Sequence, residues 1–584
     1  MKMNKLPGFS VYSFQSRLFS VTAMVGFGLL IVLGRVFYLQ IWNPGYYNDL
    51  ASRQQERTIE LKSKRQAIYD RRKRLLATSI KVDSVHALPA KVRNPEKTAK
   101  QLSPLLGIKE GTLLKKLKSP RSFVWLKRQN SPATTAKIKR LKIKGIDFIQ
   151  EYKRYYPYGK FAGPLLGFTG IDPKGLEGLE YEYQDLLQGE KNQYVVEQDG
   201  THRIIPSKDY QMLKPSQHYS LHLTLDNSIQ YFAEKALRKG IAKAQAKKGI
   251  AIVMETQTGA ILAIANSPDF DPNNFQQYPH DTYLNHAVTS GYEPGSTLKI
   301  LTIAIAYEER FIDIDQKYFC EDGSFQVADQ VIHDVTPHGW LNVREIIQKS
   351  SNICAAKIGF LISKEQFFDY LKKFGFGQKI DIGLPAEASG SLPLVENWTR
   401  VDHASISFGH GILSSPMQLL TAINTIGTHG FKIIPYIVDY IEDEKGESIR
   451  EIKDSEGVVI QRFGPREKTR ILSAKTADTI RDFMISVTEE GGTGTLAAIS
   501  GVSVAGKTGT SEIYDEKMKA YSKKDNIASF IGMVPAENPE LTILVVVESP
   551  QTSSYGGVVA APIFREIAER SLFFLGKGFP KIQQ

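Results

Sequence analysis

The chain has 584 residues, several times the length of a usual single domain, so we expect two or three domains. Its 42% hydrophobic and 23% charged residues are ordinary values for a globular protein, which excludes a disordered chain and a polytopic membrane protein. The net charge of +12 is uneven, because the window from Lys91 to Arg154 alone contains 18 basic and four acidic residues.

The amino-terminal segment predicts a membrane anchor. Residues 18–34 carry no charge, and after Arg35 the sequence stays uncharged and mostly apolar to Trp42. At about 1.5 Å per helical residue, this stretch spans a hydrocarbon core of roughly 30 Å. The preceding residues, 1–17, include basic but no acidic side chains, which predicts a cytoplasmic tail and an external remainder. No small-residue cleavage site follows, so we expect the anchor (18–42) to be retained; a buried core helix is the alternative.

Residues 43–220 mix short apolar runs with basic helical patches, and nothing there resembles a catalytic site. The basic window could in principle track nucleic acid or an anionic membrane surface. No zinc-finger or RNA-recognition signature accompanies it, so we expect a solvated basic face and no nucleic-acid partner. A polar stretch from Pro206 to Ser220 predicts the linker to the next region.

The patterns after residue 220 predict an α+β domain. Asp226 is placed to cap a helix, and residues 250–254 and 260–265 have the pattern of a β-hairpin. Mainly helical sequence follows, and three late strands and a closing helix are predicted at 502–505, 527–534, 541–547 and 560–573. Both ends of the domain sequence should therefore build one antiparallel sheet flanked by helices.

The segment Glu293-Pro-Gly-Ser-Thr-Leu-Lys contains a candidate nucleophile and a candidate base, and in it a turn precedes helical sequence. Three residues apart on a helix, Ser296 and Lys299 share a face, with Cβ atoms roughly 5–6 Å apart. The helix dipole favours negative charge at this end, and a partly buried lysine can become neutral and take the serine proton. Taken alone, Ser-x-x-Lys is a common pattern.

Two further short motifs follow in the sequence. Ser350-Ser-Asn352 offers a hydroxyl that can relay a proton and a carboxamide that can hold an amide, although such a triplet is also usual in an exposed turn. Lys507, Thr508, Gly509 and Thr510 supply a cation, two hydroxyls and a glycine on a predicted strand edge. Such an edge is suited to pairing with an extended peptide and gripping its carboxylate.

Residues 501–508 also satisfy the P-loop expression G-x-x-x-x-G-K-[ST]. A P-loop needs a flexible loop and a helix that begins at its lysine. Val502 and Val504 alternate as in a strand and Gly509 interrupts a helix start, so we favour the strand and keep nucleotide binding as the alternative. The sequence has no Gly-x-Ser-x-Gly elbow and no His-Glu-x-x-His zinc motif, and we expect neither cofactor nor metal.

Taken in this order, Ser296-x-x-Lys299, Ser350-x-Asn352 and Lys507-Thr-Gly509 resemble the motifs of penicillin-binding proteins and serine β-lactamases. Most of residues 35–570 is similar to the class B, monofunctional peptidoglycan D,D-transpeptidases, above all the division type. The segments that carry this wider resemblance begin at Arg154, Leu166, Gly175, Leu223, Phe408, Ser415, Gly492, Ser529 and Tyr555. Arg65-Gln66, Asp70-Arg-Arg-Lys73 and Cys354 depart from the family pattern.

The resemblance implies an elongated pedestal over 43–220, a transpeptidase domain over 221–575 and a tail over 576–584. It implies that Lys299 deprotonates Ser296, which attacks the penultimate D-Ala of a peptidoglycan stem peptide while the backbone N–H groups of Ser296 and Thr510 hold the oxyanion. Ser350 would pass the proton to the departing D-Ala, Asn352 would hold a substrate amide, and Lys507, Thr508 and Thr510 would bind the carboxylate of the leaving residue.

A neighbouring stem amine would then complete a cross-link during septal synthesis, and β-lactams would acylate Ser296. The implied setting is the bacterial inner membrane with the catalytic domain in the periplasm, beside a polytopic lipid-II glycosyltransferase and other division proteins. An elongation-type transpeptidase, a tethered D,D-carboxypeptidase or β-lactamase, and a division scaffold or sensor are the alternatives. For Cys320 and Cys354 we expect two buried free thiols rather than a disulfide.

Overall fold

The computed structural model describes residues 11–42, 45, 56–61, 64–188, 192–197, 211–214, 218–515 and 520–577. The start of the predicted tail (1–10), most of the predicted linker and residues 578–584 of the last tail lie outside this part of the chain. The chain divides into two compact units, residues 1–63 with 190–216 and residues 64–189 with 217–584.

The first unit contains the predicted anchor. A helix at Val11–Phe37 continues into a π-helical turn at Tyr38–Trp42. Its stretch Gln15–Ile41 is long and apolar enough to cross a membrane once, and it is the one such helix in the described residues. The same unit has an antiparallel three-stranded sheet, with Asn192–Glu197 between Glu56–Leu61 and Gln211–Lys214.

The pedestal part of the second unit contains a seven-stranded sheet that two distant parts of the chain build. Its strands, in spatial order, are Ser448–Ile449, Val438–Glu442, Ser220–Leu223, Ile68–Tyr69, Leu75–Ala87 and Val124–Asn130, and Ile146–Tyr155 also pairs with Leu75–Ala87. Because the first two strands come from the predicted transpeptidase domain, the pedestal sheet continues into that domain. The sequence patterns did not indicate this continuation.

The basic window folds around its own small core. Helices at Pro95–Leu106, Glu110–Leu117 and Pro132–Arg140 bury Leu102, Leu113 and Ile138 against the sheet. Most of the basic side chains of this window, such as Lys97 and Lys142, are exposed to solvent.

A buried ion cluster joins three distant stretches of the pedestal. Nε of Arg65 and Nε of Arg154 donate to opposite oxygens of the Glu180 carboxylate, at 2.5 and 2.6 Å, and the Tyr156 hydroxyl donates to the same carboxylate at 3.3 Å. Burial alone would raise the pKa of Glu180, but the two guanidinium groups hold it below its ordinary value. Arg65 is therefore part of the pedestal core.

The predicted α+β domain is confirmed. Its five-stranded sheet consists of Lys248–Glu255 (β1), Ile261–Ser267 (β2), Ala505–Asp515 (β3), Ala520–Val534 (β4) and Leu541–Glu548 (β5). The spatial order is β2-β1-β5-β4-β3, and every neighbouring pair is antiparallel. Strands from both ends of the domain sequence thus meet at the centre of the sheet, where Val253 of β1 lies opposite Ile543 of β5.

Helices cover both faces of this sheet. The principal ones are Asn227–Ala244 (α1), Lys299–Glu308 (α2), Val343–Lys349 (α3), Asn352–Gly359 (α4), Lys364–Phe374 (α5), Arg400–Ser407 (α6), Pro416–Gly427 (α7), Ala474–Ile485 (α8) and Ala561–Leu575 (α9). Residues of α1 and α9 share one core with one face of the sheet, and the opposite face belongs to a larger core that contains α2, α3, α5, α7 and α8. The residues of α2 from Lys299 to Ala306 are fully buried, so α2 is the central helix of the domain.

Four small two-stranded sheets and several short helices complete the described part of the second unit. The sheets pair Lys317–Phe319 with Trp340–Asn342, Ser324–Val327 with Gln330–His333, Phe431–Lys432 with Thr469–Arg470, and Glu451–Lys453 with Val459–Arg462. The short helices are Gly163–Leu166, Gly178–Glu182, Gln184–Gln188, His286–Thr289 and Gly556–Val559.

Cys320 and Cys354 form a disulfide, so the expectation of two free thiols is wrong. Their Cα atoms lie 5.2 Å apart, inside the range that a bridge requires. Cys354 belongs to α4, and Cys320 directly follows the strand Lys317–Phe319. The two residues are 34 positions apart in sequence, and only the packing of this strand against α4 brings them together.

Candidate active site

The candidate nucleophile lies on a tight turn at the start of α2. Gly295–Thr297 form one turn of 3₁₀ helix, α2 begins at Lys299, and Ser296 is half-buried on a cleft of ≈830 Å³. Gly295 has φ +55°, and a Cβ added there would lie 2.6 Å from the carbonyl oxygen of Thr510 in β3. The turn and the strand therefore touch through their backbones, and glycine is the residue that permits this approach.

Lys299 is fully buried directly behind the cleft. Its Nζ donates to the Ser350 carbonyl at 2.6 Å, to Asn352 Oδ1 at 2.7 Å and to Ser350 Oγ at 3.2 Å. Burial lowers the pKa of Lys299 from 10.5 to about 7, while the negative charge of Asp334 acts in the opposite direction. A substantial share of neutral amine is therefore present near neutral pH.

The second motif occupies the junction between α3 and α4. Ser350 adopts the left-handed conformation with φ +62°, which turns the chain from one helix into the next. The Ser351 hydroxyl caps α4 by accepting from the Cys354 N–H at 3.1 Å. Asp334 fixes the junction, because its carboxylate accepts hydrogen bonds from Ser351 Oγ at 2.6 Å and from the backbone N–H groups of Asn352 and Ile353.

The third motif lies inside β3, on the edge strand of the sheet. Lys507 is fully buried, and its Nζ donates to Ser350 Oγ at 2.8 Å and to the Thr508 carbonyl at 3.0 Å. Burial lowers the pKa of Lys507 well below its ordinary value, and the nearby Lys299 lowers it further. Lys507 pairs with Ile531 of β4 inside a strand, whereas a P-loop lysine begins a helix, so residues 501–508 do not form a P-loop.

Gly509 lets β3 pack against the nucleophile turn. A Cβ added there would lie 2.3 Å from Ser529 Oγ and 2.9 Å from Thr297 Cγ2, so any side chain would push the strand away. Thr508 and Thr510 line the cleft, and the Thr508 hydroxyl is hydrogen-bonded to that of Thr493 at 2.9 Å.

These distances place the residues of all three motifs around one cleft, with the Ser350 hydroxyl between two lysine amines. Ser296 stands slightly apart, since none of the described residues provides a hydrogen-bond partner for its hydroxyl. Catalytic hydrogen bonds often tighten only when substrate is bound, so this spacing is compatible with a nucleophile. Within the described residues, no group of three or more His, Cys, Asp or Glu side chains could hold a metal ion.

Sequence reasoning missed three side chains that organise the site. Asp334 lies 16 positions before Ser350, and no spacing rule connects the two. Glu293 and His410 stand inside segments that support the family resemblance, yet their contact across 117 positions could not be foreseen. The one local signal for Glu293 was its place three residues before the candidate nucleophile.

Comparison with known proteins agrees with this arrangement. The family model of the penicillin-binding protein transpeptidase domain matches residues 249–569, and that of the penicillin-binding protein dimerisation domain matches residues 60–223. The probable peptidoglycan D,D-transpeptidase PenA of Neisseria meningitidis serogroup A is 34% identical over 550 residues, which cover 93% of this chain and 90% of that protein. The peptidoglycan D,D-transpeptidase FtsI of Escherichia coli K12 is 30% identical over 547 residues, which cover 92% of this chain and 88% of that protein.

A solved structure extends the likeness to the fold. The crystal structure of a peptidoglycan synthetase from Bifidobacterium adolescentis superposes with a TM-score of 0.69 at 26% identity, covering 91% of this chain and 98% of that one. The family models and the relatives together span both the pedestal and the α+β domain. The chain belongs to the class B penicillin-binding proteins, the family that its motifs resemble.

Proposed function

We propose that the protein is a membrane-anchored peptidoglycan D,D-transpeptidase that cross-links stem peptides through an acyl-enzyme on Ser296. The observation that carries the proposal is the convergence of two buried lysines on one serine hydroxyl, beside a second serine that lines an ≈830 Å³ cleft. Relatives that share about a third of the sequence over nearly the whole chain are named for this activity.

Acylation begins when neutral Lys299 takes the proton of Ser296. The pKa of about 7 that burial imposes on Lys299 makes the amine available at neutral pH. The Ser296 oxygen attacks the carbonyl carbon of the penultimate D-Ala, and the backbone N–H groups of Ser296 and Thr510 stabilise the oxyanion. The close backbone contact between the nucleophile turn and β3 supports this oxyanion site.

The leaving D-Ala requires a proton and a place for its carboxylate. Ser350 is suited to deliver the proton, because its hydroxyl lies 3.2 Å from Nζ of Lys299 and 2.8 Å from Nζ of Lys507. Lys507, Thr508 and Thr510 form the carboxylate site along the β3 edge, and Gly509 keeps that edge free of a side chain. Asn352 holds the Lys299 amine in place and faces the cleft, where its carboxamide can bind a substrate amide.

The second half of the reaction transfers the acyl group. An amine from a neighbouring stem peptide attacks the ester carbonyl, the Ser296 oxygen leaves and recovers its proton, and a new peptide bond cross-links the two strands. A β-lactam follows the first half only, because its ring opens onto Ser296 and its amine stays attached.

The cellular setting is part of the same proposal. Basic residues before the anchor and none that are acidic favour a cytoplasmic amino terminus, so that the second unit lies in the periplasm. Similarity to FtsI supports a role in septal synthesis, where a polytopic lipid-II glycosyltransferase and other division proteins would be the partners.

A gel with fluorescent penicillin tests the nucleophile. Wild-type protein should be labelled covalently, and Ser296→Ala should abolish labelling because it removes the attacking hydroxyl. Ser405→Ala is the matched control, since Ser405 lines the same cleft. The Ser405→Ala protein should be labelled to the same extent as the wild type. Full labelling of the Ser296→Ala protein would refute the assignment.

The Lys299→Arg variant distinguishes a role of Lys299 as a positive charge from a role as a base. Arginine keeps the positive charge but does not release its proton near neutral pH, so acylation should be lost, while Lys349→Arg on the same cleft should have little effect. If the acylation rate stayed within about threefold of wild type, Lys299 would not be the base.

Mass spectrometry of the products from uncross-linked peptidoglycan strands shows whether an amine or water accepts the acyl group. Dimeric stem peptides indicate transpeptidation, and D-Ala release without dimers would indicate a carboxypeptidase.

A further inference from the structure

A buried carboxylate three residues before Ser296 has no part in the reaction proposed above. Glu293 is only 9% exposed, and its Oε1 accepts hydrogen bonds from the Gly411 N–H at 2.9 Å and from the Tyr521 hydroxyl at 2.9 Å. Its Oε2 lies 3.3 Å from Nδ1 of His410. Two hydrogen-bond donors and a nearby imidazole, from two other parts of the domain, therefore surround one carboxylate.

The first of these parts is the loop that follows α6, and it runs alongside the nucleophile turn. Tyr292 and Ser414 exchange two backbone hydrogen bonds at 2.9 Å, and the Gly295 N–H donates to the Gly409 carbonyl at 3.0 Å. A Cβ added to Gly409 would lie 2.0 Å from the Gly295 carbonyl oxygen. This loop is thus already fixed to the turn without the Glu293 side chain.

The second part is the β3–β4 strand pair, for which Glu293 provides an additional attachment. Tyr521 belongs to β4 and pairs with Tyr514 of β3, several residues along the ladder from Thr510 and its partner Ala528. Thr510 touches Gly295 through the backbone, as described above. The strand pair therefore meets the nucleophile segment at two separate points, one at Thr510 and one at Tyr521.

The charges around Glu293 make the hydrogen bond from Tyr521 important. Burial lowers the pKa of His410. The negative charge of Glu293 raises this pKa and the positive charge of Lys299 lowers it, and the net effect is a decrease, so the imidazole is mainly neutral at pH 7. Among the described residues, no cation then pairs with the buried carboxylate, so its stabilisation depends on the two donors that reach it. A hydroxyl that donates to a buried carboxylate forms a stronger bond than one between neutral groups.

We propose that Glu293 is a positioning residue, whose carboxylate ties Tyr521 of β4 to the nucleophile turn and thereby fixes the β3 edge relative to Ser296. The proposal rests on the proposed function, since it concerns the acylation of Ser296. Two attachment points restrict the rotation of β3 about its contact at Thr510. Small displacements of catalytic groups cost large factors in rate, so this restriction affects the acylation step more than the binding of the ligand.

Rapid-mixing kinetics with a fluorescent penicillin can test this, because they separate the dissociation constant of the first complex from the acylation rate constant. Tyr521→Phe removes only the hydroxyl and should lower the acylation rate constant about 3–10-fold, while Glu293→Ala should lower it about 10–100-fold. The dissociation constant should change less than about threefold in both. Tyr555→Phe is the control, since that side chain lines the same cleft and its hydroxyl has no hydrogen-bond partner among the described residues.

Two further variants distinguish a specific tie from general damage. Glu293→Gln keeps an oxygen that can accept from both Gly411 and Tyr521, so it should recover most of the acylation rate. In the Glu293→Ala background, Tyr521→Phe should have no additional effect, because the bond it removes is already absent. Melting temperatures accompany each variant, and if Glu293→Ala does not fold, Tyr521→Phe and Glu293→Gln still decide.

Three outcomes would overturn the proposal. The Tyr521→Phe protein could be acylated at the wild-type rate, or the effects of Tyr521→Phe and Glu293→Ala could add in the double variant. The Glu293→Gln protein could also be acylated as slowly as the Glu293→Ala protein. Failure of the proposed function looks different, because the wild-type protein would then not be labelled at Ser296 at all.

Discussion

Two lysines that share one serine define the chemistry of this site at the scale of single residues. Lys299 and Lys507 are both fully buried, and their Nζ atoms donate to the same Ser350 hydroxyl. Burial disfavours the charged form of both lysines, and the nearby Lys299 disfavours that of Lys507 further. Asp334 acts against this for Lys299, so the carboxylate that positions the second motif also limits how far the pKa of Lys299 falls.

The lowered pKa of Lys299 predicts the pH dependence of acylation. Only the neutral amine can accept the Ser296 proton, so the acylation rate should rise with pH through about 7 and level off above it. Stopped-flow rates with a penicillin between about pH 5.5 and 9 would measure this midpoint. A rate that is flat or that falls over this range would contradict Lys299 as the base.

Asp334→Asn provides the second arm of the same prediction. The change removes the negative charge that raises the pKa of Lys299 but keeps an oxygen for the N–H groups of Asn352 and Ile353, so the midpoint should move to lower pH. Glu512→Gln is the control, because this exposed carboxylate lines the cleft but does not shift the pKa of Lys299, so the midpoint of this variant should stay in place. A midpoint that moves to higher pH in Asp334→Asn would contradict the inference that the Asp334 charge raises the pKa of Lys299.

The motif residues could be predicted because each lies in a short local pattern, whereas their supports could not. Ser296 and Lys299 are three positions apart on one helical turn, and periodicity alone places them together. Asp334 reaches Asn352 across 18 positions and Glu293 reaches His410 across 117, and such contacts depend on how the helices pack. A single sequence contains no local signal for them.

At the scale of elements, strand patterns predicted the central sheet but gave the wrong residue range for its edge strand, β3. The strand predicted at 502–505 begins only at Ala505 and continues to Asp515, because Lys507, Thr508 and Gly509 extend it although glycine is unfavourable in a strand. The pedestal strands at 438–442 and 448–449 are only five and two residues long, too short for alternation to identify. Long, uniformly apolar strands such as β5 were predicted correctly.

The disulfide links α4, the helix that begins with Asn352, to the strand Lys317–Phe319. Closing a loop across 34 positions restricts the unfolded chain, which corresponds to about 3–4 kcal/mol of stability on the chain-entropy estimate. Replacing both cysteines by alanine should therefore lower the free energy of unfolding by about this amount. Urea unfolding of the oxidised wild type, the reduced wild type and the double variant would measure it.

Reduced wild type and the double variant should agree, since both lack the bridge. Exchange of amide hydrogens should also increase in α4 when the bridge is absent, because local opening of that helix is no longer restrained. If the oxidised protein were no more stable than the double variant, the bridge would not contribute to folding stability.

At the scale of the whole molecule, the three motifs and the apolar amino-terminal helix belong to different units. All three motifs lie in the unit of residues 64–189 and 217–584, which has its own hydrophobic cores, and the apolar helix lies in the other unit. The shared pedestal sheet makes the catalytic domain and most of the pedestal one body, because strands from residues 68–87 and 438–449 are hydrogen-bonded in series. Removing the pedestal would therefore expose an edge of a sheet that the catalytic domain helps to build, whereas removing the anchor would not.

A soluble fragment that begins at Asn43 tests this division. It should be acylated by penicillin within about twofold of the full-length rate, because the nucleophile turn, α4 and β3 keep their packing and the chemistry does not involve the membrane. The same fragment should fail to support division in cells as the only copy, since it no longer shares a membrane with lipid-linked substrate. Full-length Ser296→Ala is the matched control, because it keeps the anchor and loses only the nucleophile, and it should also fail. If that inactive protein sustained growth, the essential role of the chain would be that of a scaffold; if the soluble fragment lost acylation, the anchor would contribute to the fold of the catalytic site.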